Sequence, residues 1–347
     1  MSQFNVAILG FGLSGSTFHA PLISVVSGLK ITHILSRQTE KIAQLYPEAQ
    51  VVNDLAEVLA NPLIDLVVNT LPNSEHYIVT KQCLEAGKNV VVEKPFVIDS
   101  VDGVELIDLA KSKGLMLSVY QNRRWDNGFL TLKQHLAQLG EIYLYQAYFD
   151  RFRPAVNLGK WREQNLKGSG ILYDLGAHLI DQAINLFGLP DSLYADLAKQ
   201  RPNAQSIDYF QLELYYPRLK VILGSCSVMA NPRPVLSLYG TMGSYVKDGL
   251  DPQENNLRAG VSPLEINYGI EDSNNSGTLS ISDEGLLSSY SITSVRGNYL
   301  SYYQGIYYSL LEDLDPPVSA NSALEVIKII EQATLSFKLG RRIDFEV

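Results

Sequence analysis

Asn5-Val-Ala-Ile-Leu-Gly-Phe-Gly-Leu-Ser-Gly15 is the stretch that decides the fold of this chain. Residues 5–9 form an apolar run with β-branched side chains, which predicts a buried strand. The glycines that follow have the spacing Gly-x-Gly-x-x-Gly, and helical spacing continues from Ser16 to Val26. In this context the glycines permit a tight turn, a close approach to a pyrophosphate and close packing of helix on strand. The stretch predicts a phosphate-binding turn, with a plain glycine turn as the alternative.

Alternation of strand and helix continues through the first third of the chain. Further strands are predicted over residues 31–35, 66–70, 89–92 and 115–120, with helices over 38–46, 75–86 and 101–113. Gly87 and Gly114 follow two of these helices, where a left-handed residue is usual. Continuous apolar strands separated by helices are typical of a parallel sheet that is covered on both faces. We therefore predict an α/β domain of Rossmann type, a doubly wound parallel sheet, over residues 1–121.

The remainder of the chain has a different pattern. Strands are predicted over residues 142–152, 193–198, 207–216, 219–229 and 236–239, with helices over 170–187, 299–313 and 323–339. Strands without intervening helices indicate a mostly antiparallel sheet. We predict that residues 122–347 form an α+β domain with an open sheet flanked by helices. Residues 249–296, rich in Asn, Ser, Gly and acidic residues, predict long surface loops.

Two features of the C-terminal helices are specific enough to check. Ser322-Ala-Leu-Glu325 has the Ser-x-x-Glu spacing of a capping box, which predicts that the last helix begins at 323. We expect that helix to pack back towards the first domain. Tyr302, Tyr303, Tyr307 and Tyr308 form an aromatic stripe for which core packing is expected.

Charge and cysteine content exclude several classes of protein. The formal net charge of −9 gives no support to nucleic-acid binding. Two cysteines, Cys83 and Cys226, cannot form a disulfide framework or a four-cysteine zinc site. No apolar run is long enough for a membrane span, and the N-terminus lacks a signal-peptide pattern. These features predict a cytoplasmic protein with no membrane or nucleic-acid partner.

The end of the second strand bears on the choice of cofactor. An acidic residue about 20 positions after the glycine motif is expected for NAD, but Ser36 and Arg37 stand there. Glu40 follows in the next predicted helix. A hydroxyl and a guanidinium suit a 2′-phosphate, because arginine makes charge-assisted bonds to phosphate oxygens. We therefore predict NADP in preference to NAD, with a solvated Arg37 as the alternative.

Several motifs together resemble one family. They are Gly10-x-Gly12-x-x-Gly15, Phe18-His-Ala-Pro21, Thr70-x-Pro72-Asn73-x-x-His76, Ala86-Gly-Lys-x-Val-x-Val-Glu-Lys-Pro95, Asn122-Arg-Arg-Trp-Asp126, Lys160-Trp161-Arg162, Asp174-Leu-Gly-Ala-His178-x-x-Asp181 and Gly340-Arg341. Over nearly its whole length the chain resembles the glucose–fructose oxidoreductase and inositol dehydrogenase family (Gfo/Idh/MocA). It is most similar to a subgroup with NADP-dependent scyllo-inositol dehydrogenases. The glycine turn is shared with many families, whereas Glu-Lys-Pro and Asp-x-x-x-His are far more specific.

The resemblance implies an activity and a catalytic set. Such proteins transfer hydride between NAD(P) and a hydroxyl or ketone of a sugar or cyclitol. The implied catalytic residues are Lys94, Asp174 and His178, all of which match the motif. Asp174 and His178 are one helical turn apart, and histidine titrates near the pH that such proton transfer needs. We assign His178 as general acid/base, Lys94 as its electrostatic partner and Asp174 as substrate anchor, although Lys94 and His178 could exchange roles. A solvated polar helix stripe is the alternative for 174 and 178.

The glycine turn and the resemblance together imply a set of cofactor contacts. They are Gly10, Phe11, Gly12, Leu13, Ser14, Gly15, Ser36, Arg37, Thr70, Leu71, Pro72, Asn73, His76, Glu93, Lys94, Arg124 and Trp161. Alternatives remain for three of them. His76 could simply occupy the first turn of a helix, Arg124 could pair with acidic side chains, and Trp161 could wall the substrate cleft or only pack. No metal site is predicted.

Two other functions compete with a sugar or cyclitol dehydrogenase. One is an enzyme of the same fold with a non-sugar substrate, such as a biliverdin reductase-like or dihydrodiol-type dehydrogenase. The other is a nucleotide-sensing regulator without turnover, although such proteins tend to lose the lysine or histidine that this chain retains. The resemblance also implies a homodimer or homotetramer that associates through the C-terminal sheet.

Overall fold

The computed structural model describes residues 2–345 and consists of two compact units. The first contains residues up to 122 together with 252–269 and 298–324. The second contains 123–251, 270–297 and the chain from 325 onward. The predicted boundary near residue 121 lies next to the first crossing between the units. The predicted division at that boundary did not assign the two later segments, 252–269 and 298–324, to the first unit.

The first unit is built on a six-stranded parallel sheet in the order β3-β2-β1-β4-β5-β6. Its strands are β1 (Phe4–Leu9), β2 (Leu29–Leu35), β3 (Gln50–Val52), β4 (Leu66–Asn69), β5 (Asn89–Val92) and β6 (Leu117–Val119). β4 is buried along its whole length, as expected for a strand covered on both faces. The predicted doubly wound sheet is confirmed.

Helices connect these parallel strands. They are a π-helical segment Ser14–His19 that continues into α1 (Ala20–Ile23), α2 (Thr39–Leu45), α3 (Leu55–Ala60), α4 (His76–Glu85) and α5 (Ser100–Lys113). Gly87 and Gly114 have φ values of 77° and 63°, so both take the predicted left-handed conformation after a helix. β3 and α3 have no counterpart in the predicted elements, because runs of three and six residues are too short for a clear hydrophobic period.

The second unit is built on a nine-stranded sheet in the order β14-β13-β12-β11-β7-β10-β9-β8-β15. Its strands are β7 (Ile142–Tyr148), β8 (Ser192–Ala198), β9 (Tyr209–Tyr215), β10 (Lys220–Cys226), β11 (Leu236–Gly240), β12 (Gly243–Lys247), β13 (Gly277–Asp283), β14 (Leu286–Ile292) and β15 (Ile343–Asp344). All neighbours pair antiparallel except β7 and β10, which are parallel. The predicted mostly antiparallel sheet is confirmed.

One core holds this second unit together. Alternate residues of β9, namely Phe210, Leu212 and Leu214, are buried against α7 (Ala177–Phe187), and α6 (Asn127–His135) adds Leu132 to the same cluster. The alternation places one face of the sheet inward, as the period of two in a strand requires. The helix that carries Asp174 and His178 is therefore fixed to the sheet by apolar packing.

The prediction of long surface loops over residues 249–296 is wrong in three places. The structure has α8 (Gln253–Arg258) and the hairpin strands β13 and β14 within that stretch. β14 is almost entirely exposed, so it lacks the apolar alternation by which a half-buried strand is recognised. α8 has six residues, of which only Gln253 and Leu257 are buried. β13 pairs with β12, which lies about 30 residues earlier, and β14 pairs with β13.

The C-terminal helices begin differently from the prediction. α9 spans Leu300–Glu312, and α10 spans Ala320–Leu339. Ser322 lies inside α10, and its backbone N–H donates to Ser319 Oγ at 3.2 Å. Ser319 is therefore the N-terminal capping residue, and the expected capping box at Ser322 is wrong by three residues. Residues 320–324 of α10 belong to the first unit and those from 325 to the second.

The tyrosine stripe on α9 packs largely as expected. Tyr302, Tyr303 and Tyr307 are buried, whereas Tyr308 is exposed. The hydroxyl of Tyr302 lies 2.8 Å from Ser118 Oγ, so this stripe packs against β6 of the same unit.

Candidate active site

The glycine turn has the close packing that its sequence predicts. Gly10 has φ of 95°, a conformation that side chains with a Cβ rarely adopt. A Cβ added to Gly15 would lie 2.2 Å from the carbonyl oxygen of Gly10, so no side chain fits there. An added Cβ at Gly12 would meet nothing within 4 Å. Gly15 is thus packed tightly against the backbone of the turn, whereas Gly12 faces open space, as an approaching pyrophosphate requires.

Thr70 holds the turn in place from the neighbouring strand. Its Oγ1 lies 2.9 Å from the carbonyl oxygens of both Leu9 and Gly10, to which the hydroxyl donates. Thr70 directly follows β4, so the carboxyl end of that strand supports the end of β1. Leu71, Pro72 and the buried Asn73 continue from it at the same edge of the sheet. These predicted cofactor contacts lie in one unit with the turn.

Glu93 connects the turn to the segment that carries the predicted catalytic lysine. Its buried carboxylate accepts hydrogen bonds from Ser14 Oγ, from His19 Nε2 at 3.0 Å and from the backbone N–H of Lys94 at 2.8 Å. Burial alone would raise the pKa of Glu93, but the hydrogen bonds and the positive charges of His19 and Lys94 lower it to about 2. The carboxylate is therefore ionised, and Ser14 is oriented towards it.

His19 extends this network into the core of the unit. Its Nδ1 is hydrogen-bonded to the hydroxyl of Tyr303, and its ring centroid lies 4.3 Å from that of Tyr120. Motif spacing singled out Glu93 but not its partners His19 and Tyr303. His19 stands in the Phe18-His-Ala-Pro21 motif, which is the only sequence signal for it. No local signal joins Tyr303 to a residue 284 positions away.

Lys94 follows β5 at the carboxyl end of the sheet, where ligands bind in doubly wound folds. The residue is half-buried, and its peptide bond to Pro95 is cis. His76 lies below it and is fully buried. Its Nδ1 is 2.7 Å from the carbonyl oxygen of Pro95, and its Nε2 is 3.0 Å from that of Leu71. His76 thus joins the loops that follow β4 and β5, and burial lowers its pKa.

The end of β2 carries the residues predicted to select the cofactor. Ser36 Oγ accepts the backbone N–H of Gln38 at 3.1 Å, and Gln38 Nε2 donates to the carbonyl of Phe11 at 2.8 Å. Gln38 therefore joins this segment to the glycine turn. Arg37 and Leu13 are exposed. Glu40 lies in the first turn of α2, beyond the end of the strand.

In the second unit, Asp174 lies among positive charges. It belongs to a π-helical segment, Leu172–Gly176, that runs into α7. Its carboxylate oxygens lie 3.4 Å from Arg162 Nε and 3.8 Å from Arg151 Nη1. The side chain is partly exposed, so it can accept hydrogen bonds from a ligand. Arg151 had no sequence signal of its own.

His178 is one turn further along and is buried. Its ring faces the edge of Phe149, with centroids 6.5 Å apart. The guanidinium of Arg123 lies over the same Phe149 ring, 4.9 Å from its centroid. Asp174 and His178 share the same helix and the same unit, as predicted from their spacing.

Arg124 and Trp161 have partners within the second unit. Arg124 donates from Nε and Nη2 to the two carboxylate oxygens of Asp181, at 2.8 and 2.6 Å. This bidentate, largely buried pair corresponds to the alternative in which Arg124 pairs with an acid. The guanidinium of Arg162 lies over the Trp161 ring, 4.6 Å from the ring centroid. A cofactor contact by Arg124 or Trp161 stays a prediction.

The described part of the chain has neither a metal-binding cluster nor a helix that could cross a membrane. Among residues 2–345, no group of three or more His, Cys, Asp or Glu side chains is placed to hold a metal ion. Within the same range, no helix combines the length and the apolar character that a membrane crossing requires.

Comparison with known families gives matches over almost the whole chain. Residues 4–121 match the model of the oxidoreductase family, NAD-binding Rossmann fold. Residues 133–345 match the model of the oxidoreductase family, C-terminal alpha/beta domain. The two matches correspond to the parallel and the mostly antiparallel sheet.

Individual proteins are similar over their full length. Scyllo-inositol 2-dehydrogenase (NADP(+)) IolW of Bacillus subtilis is 41% identical and covers 100% of this chain and 97% of its own. The uncharacterized oxidoreductase YdgJ of Escherichia coli is 43% identical, with 97% of each chain covered. The solved structure of putative oxidoreductase yvaA from Bacillus subtilis has a TM-score of 0.97 at 41% identity and covers 99% of both chains.

Proposed function

Since the chain belongs to the Gfo/Idh/MocA family of oxidoreductases, we propose that it transfers hydride between NADP and a secondary hydroxyl or ketone of an inositol-like cyclitol or sugar. It is an oxidoreductase that acts on CH–OH groups with a nicotinamide cofactor. The identity of the cyclitol or sugar and the preference for NADP are the proposed parts.

The observation that carries the proposal is the glycine turn and its support. Gly15 has no room for a side chain, Gly12 faces open space, and Thr70 fixes the carbonyls beneath. A Cβ would fill the space in which a pyrophosphate approaches the backbone, so these residues fit a dinucleotide. The helical segment that begins at Ser14 adds the positive end of its dipole.

The end of β2 supports NADP in preference to NAD. Ser36 and Arg37 stand where a carboxylate would bind the ribose hydroxyls of NAD, and Glu40 lies in the following helix. The guanidinium of Arg37 is exposed and therefore accessible to a phosphate. The Bacillus subtilis relative described above is also named as an NADP(+) enzyme.

The catalytic roles combine the family resemblance with local chemistry. A bound nicotinamide accepts or supplies the hydride. We assign proton transfer at the substrate oxygen to His178, because imidazole is the side chain generally suited to proton transfer at physiological pH. Lys94 is assigned as the hydrogen-bond donor to the same oxygen, because its ammonium polarises a ketone and stabilises an alkoxide.

Asp174 is proposed as the anchor for the substrate. Arg162 and Arg151 lie within 4 Å of its carboxylate, and a carboxylate is a strong acceptor for the vicinal hydroxyls of a polyol. The aromatic ring of Trp161, which contacts the guanidinium of Arg162 at 4.6 Å, is proposed to pack against the carbon side of a sugar ring. These two neighbouring features favour a polyol over an apolar substrate.

Self-association through the second sheet is also part of the proposal. Strands of that sheet expose Tyr143, Tyr239 and Tyr290. Exposed aromatic side chains on a sheet are typical of interfaces between subunits. We therefore propose a homodimer or homotetramer with a sheet-to-sheet contact. Light scattering measures the oligomeric state directly.

A substrate panel tests the proposed activity. Initial rates are measured with NADP and with NAD on inositol isomers, glucose and related lactones, while NADPH binding is followed separately by fluorescence. We expect turnover on at least one cyclitol, with a higher kcat/KM for NADP than for NAD. Binding of NADPH without turnover on any polyol would instead indicate a nucleotide-sensing regulator or a non-sugar substrate.

A further inference from the structure

A pocket of about 380 Å³ lies beside the glycine turn, within the first unit. Its walls come from the turn, from the helical segment after it, from the region after β2 and from α8. The lining residues are Phe11, Gly12, Leu13, Ser16, Thr17, Gln38, Lys41 and Arg258. Arg258 comes from a part of the sequence expected to form surface loops. The pocket therefore joins residues that are about 240 positions apart.

The lining of the pocket carries only positive formal charge, and Glu254, which pairs with Arg258, lies outside that lining. Lys41 and Arg258 are the charged residues of its lining, and no carboxylate contributes to it. The chain as a whole has a net charge of −9, so two cations at one pocket oppose the overall balance. Such a local reversal of charge is the electrostatic requirement for holding an anion.

α8 is firmly attached to its own unit, which fixes the position of Arg258. Gln253 is buried, and its Oε1 accepts the backbone N–H of Tyr299 at 2.7 Å. Leu257 is buried, and Asn256 Oδ1 accepts the N–H of Gly269 at 2.9 Å. The helix packs against the segment that follows the glycine turn.

The guanidinium of Arg258 is oriented before any ligand arrives. Its Nε and Nη2 donate to one oxygen of Glu254, at 3.0 and 2.7 Å. An incoming phosphate would bind at Nη1, on the remaining edge of the fork. A pre-oriented arginine loses less conformational freedom on binding, which favours a phosphate contact over a mobile surface charge.

The region after β2 identifies which phosphate this pocket takes. In doubly wound folds the end of the second strand lies next to the ribose 2′ position of the dinucleotide. Gln38 and Lys41 come shortly after that strand and line the pocket, whereas Arg37 is exposed and is outside its lining. We propose that Arg258 and Lys41 bind the 2′-phosphate of NADP and add to the selectivity expected from Arg37. This inference rests on the proposed function, because it requires NADP as the ligand.

Equilibrium binding provides the test. NADPH and NADH are titrated by fluorescence into the wild-type protein and into Arg258→Gln, Arg258→Lys and Lys41→Gln. Arg218→Gln is the matched control, since Arg218 forms an exposed pair with Glu141 in the second unit and its loss changes the net charge equally. Circular dichroism confirms that each variant is folded.

We expect Arg258→Gln to raise the Kd for NADPH about tenfold, because a charge-assisted bond to phosphate is lost. Arg258→Lys and Lys41→Gln are expected to raise it about threefold, and NADH binding should change less than about twofold in all variants. A higher salt concentration should weaken NADPH binding less in Arg258→Gln than in the wild type, because fewer charges contribute.

Two results would overturn the inference alone. In one, the wild type binds NADPH and the Arg258→Gln variant binds it equally tightly. The other is an equal loss of NADPH and NADH affinity, which would place the contact on a phosphate that both cofactors share. Wild-type protein that binds neither nucleotide would overturn the proposed function together with this inference.

Discussion

Replacement of Glu93 by glutamine tests the buried network beneath the cofactor turn. The carboxylate has an ordinary pKa of 4.5 in the unfolded chain and about 2 in the folded protein. At about 1.4 kcal/mol for each tenfold change in the dissociation constant, this difference corresponds to about 3 kcal/mol. Glutamine keeps the shape but not the charge. We therefore expect Glu93→Gln to lower the free energy of unfolding at pH 7 by about 3 kcal/mol.

The sign of the pH dependence follows from the lowered pKa. A carboxylate whose pKa is depressed by folding stabilises the protein above its unfolded pKa and loses that effect as the pH falls through the folded pKa. The difference in the free energy of unfolding between wild type and Glu93→Gln should thus reach its full value above pH 4.5. It should decline by about 1.4 kcal/mol for each pH unit between 4.5 and 2.

Urea unfolding at pH 7 and at pH 3.5 measures both quantities. Far-ultraviolet circular dichroism is the appropriate signal, because Trp125 and Trp161 both lie in the second unit while Glu93 lies in the first. Glu48→Gln is the control, since the Glu48–Lys30 pair is exposed and should contribute less than about 1 kcal/mol. Equal stability of Glu93→Gln and wild type at pH 7, with the same acid dependence, would refute the reasoning.

Four further substitutions address the turn, the cofactor preference and the chemistry. Gly15→Ala should lower the free energy of unfolding by about 1–3 kcal/mol and abolish NADPH binding, since its Cβ would lie 2.2 Å from a backbone oxygen. Gly12→Ala, with open space around it, should unfold like the wild type in the same urea titration. Arg37→Ala should raise KM for NADP about tenfold with little change for NAD, and an unchanged ratio would remove Arg37 from selectivity. His178→Ala should lower kcat by about 10²–10⁴ while NADPH binds normally, and wild-type turnover would exclude it from proton transfer.

Local pattern was enough to predict most of the first unit. The strands β1, β2, β4, β5 and β6 were predicted because each is a continuous apolar run bounded by glycine, proline or a helix. The glycine turn was predicted because its requirements are local, namely a positive φ at Gly10 and no side chain at Gly15. The same holds for Asp174 and His178, whose spacing alone places them on one helix.

Helix starts and weakly patterned strands were harder to predict. Ser322 has the spacing of a capping residue, but Ser319 caps the helix, because the hydrogen bond depends on where the preceding chain turns. β13 has only Leu279 and Ile281 as alternating apolar side chains, and β14 is almost entirely exposed, so pairing with a neighbouring strand rather than burial stabilises β14. Their assignment required the sheet itself.

The sequence by itself thus determined the fold class and the glycine turn, because each depends on residues close together in the chain. The candidate catalytic residues came from the family resemblance and stay a prediction. Tertiary structure decided what surrounds them. It brought Tyr303 to His19 and Glu93, and it brought Arg258 to the pocket beside the turn. The physical reason is that a hydrogen bond or an ion pair depends on separation in space. Spacing along the sequence carries that information only within a helix, a strand or a turn.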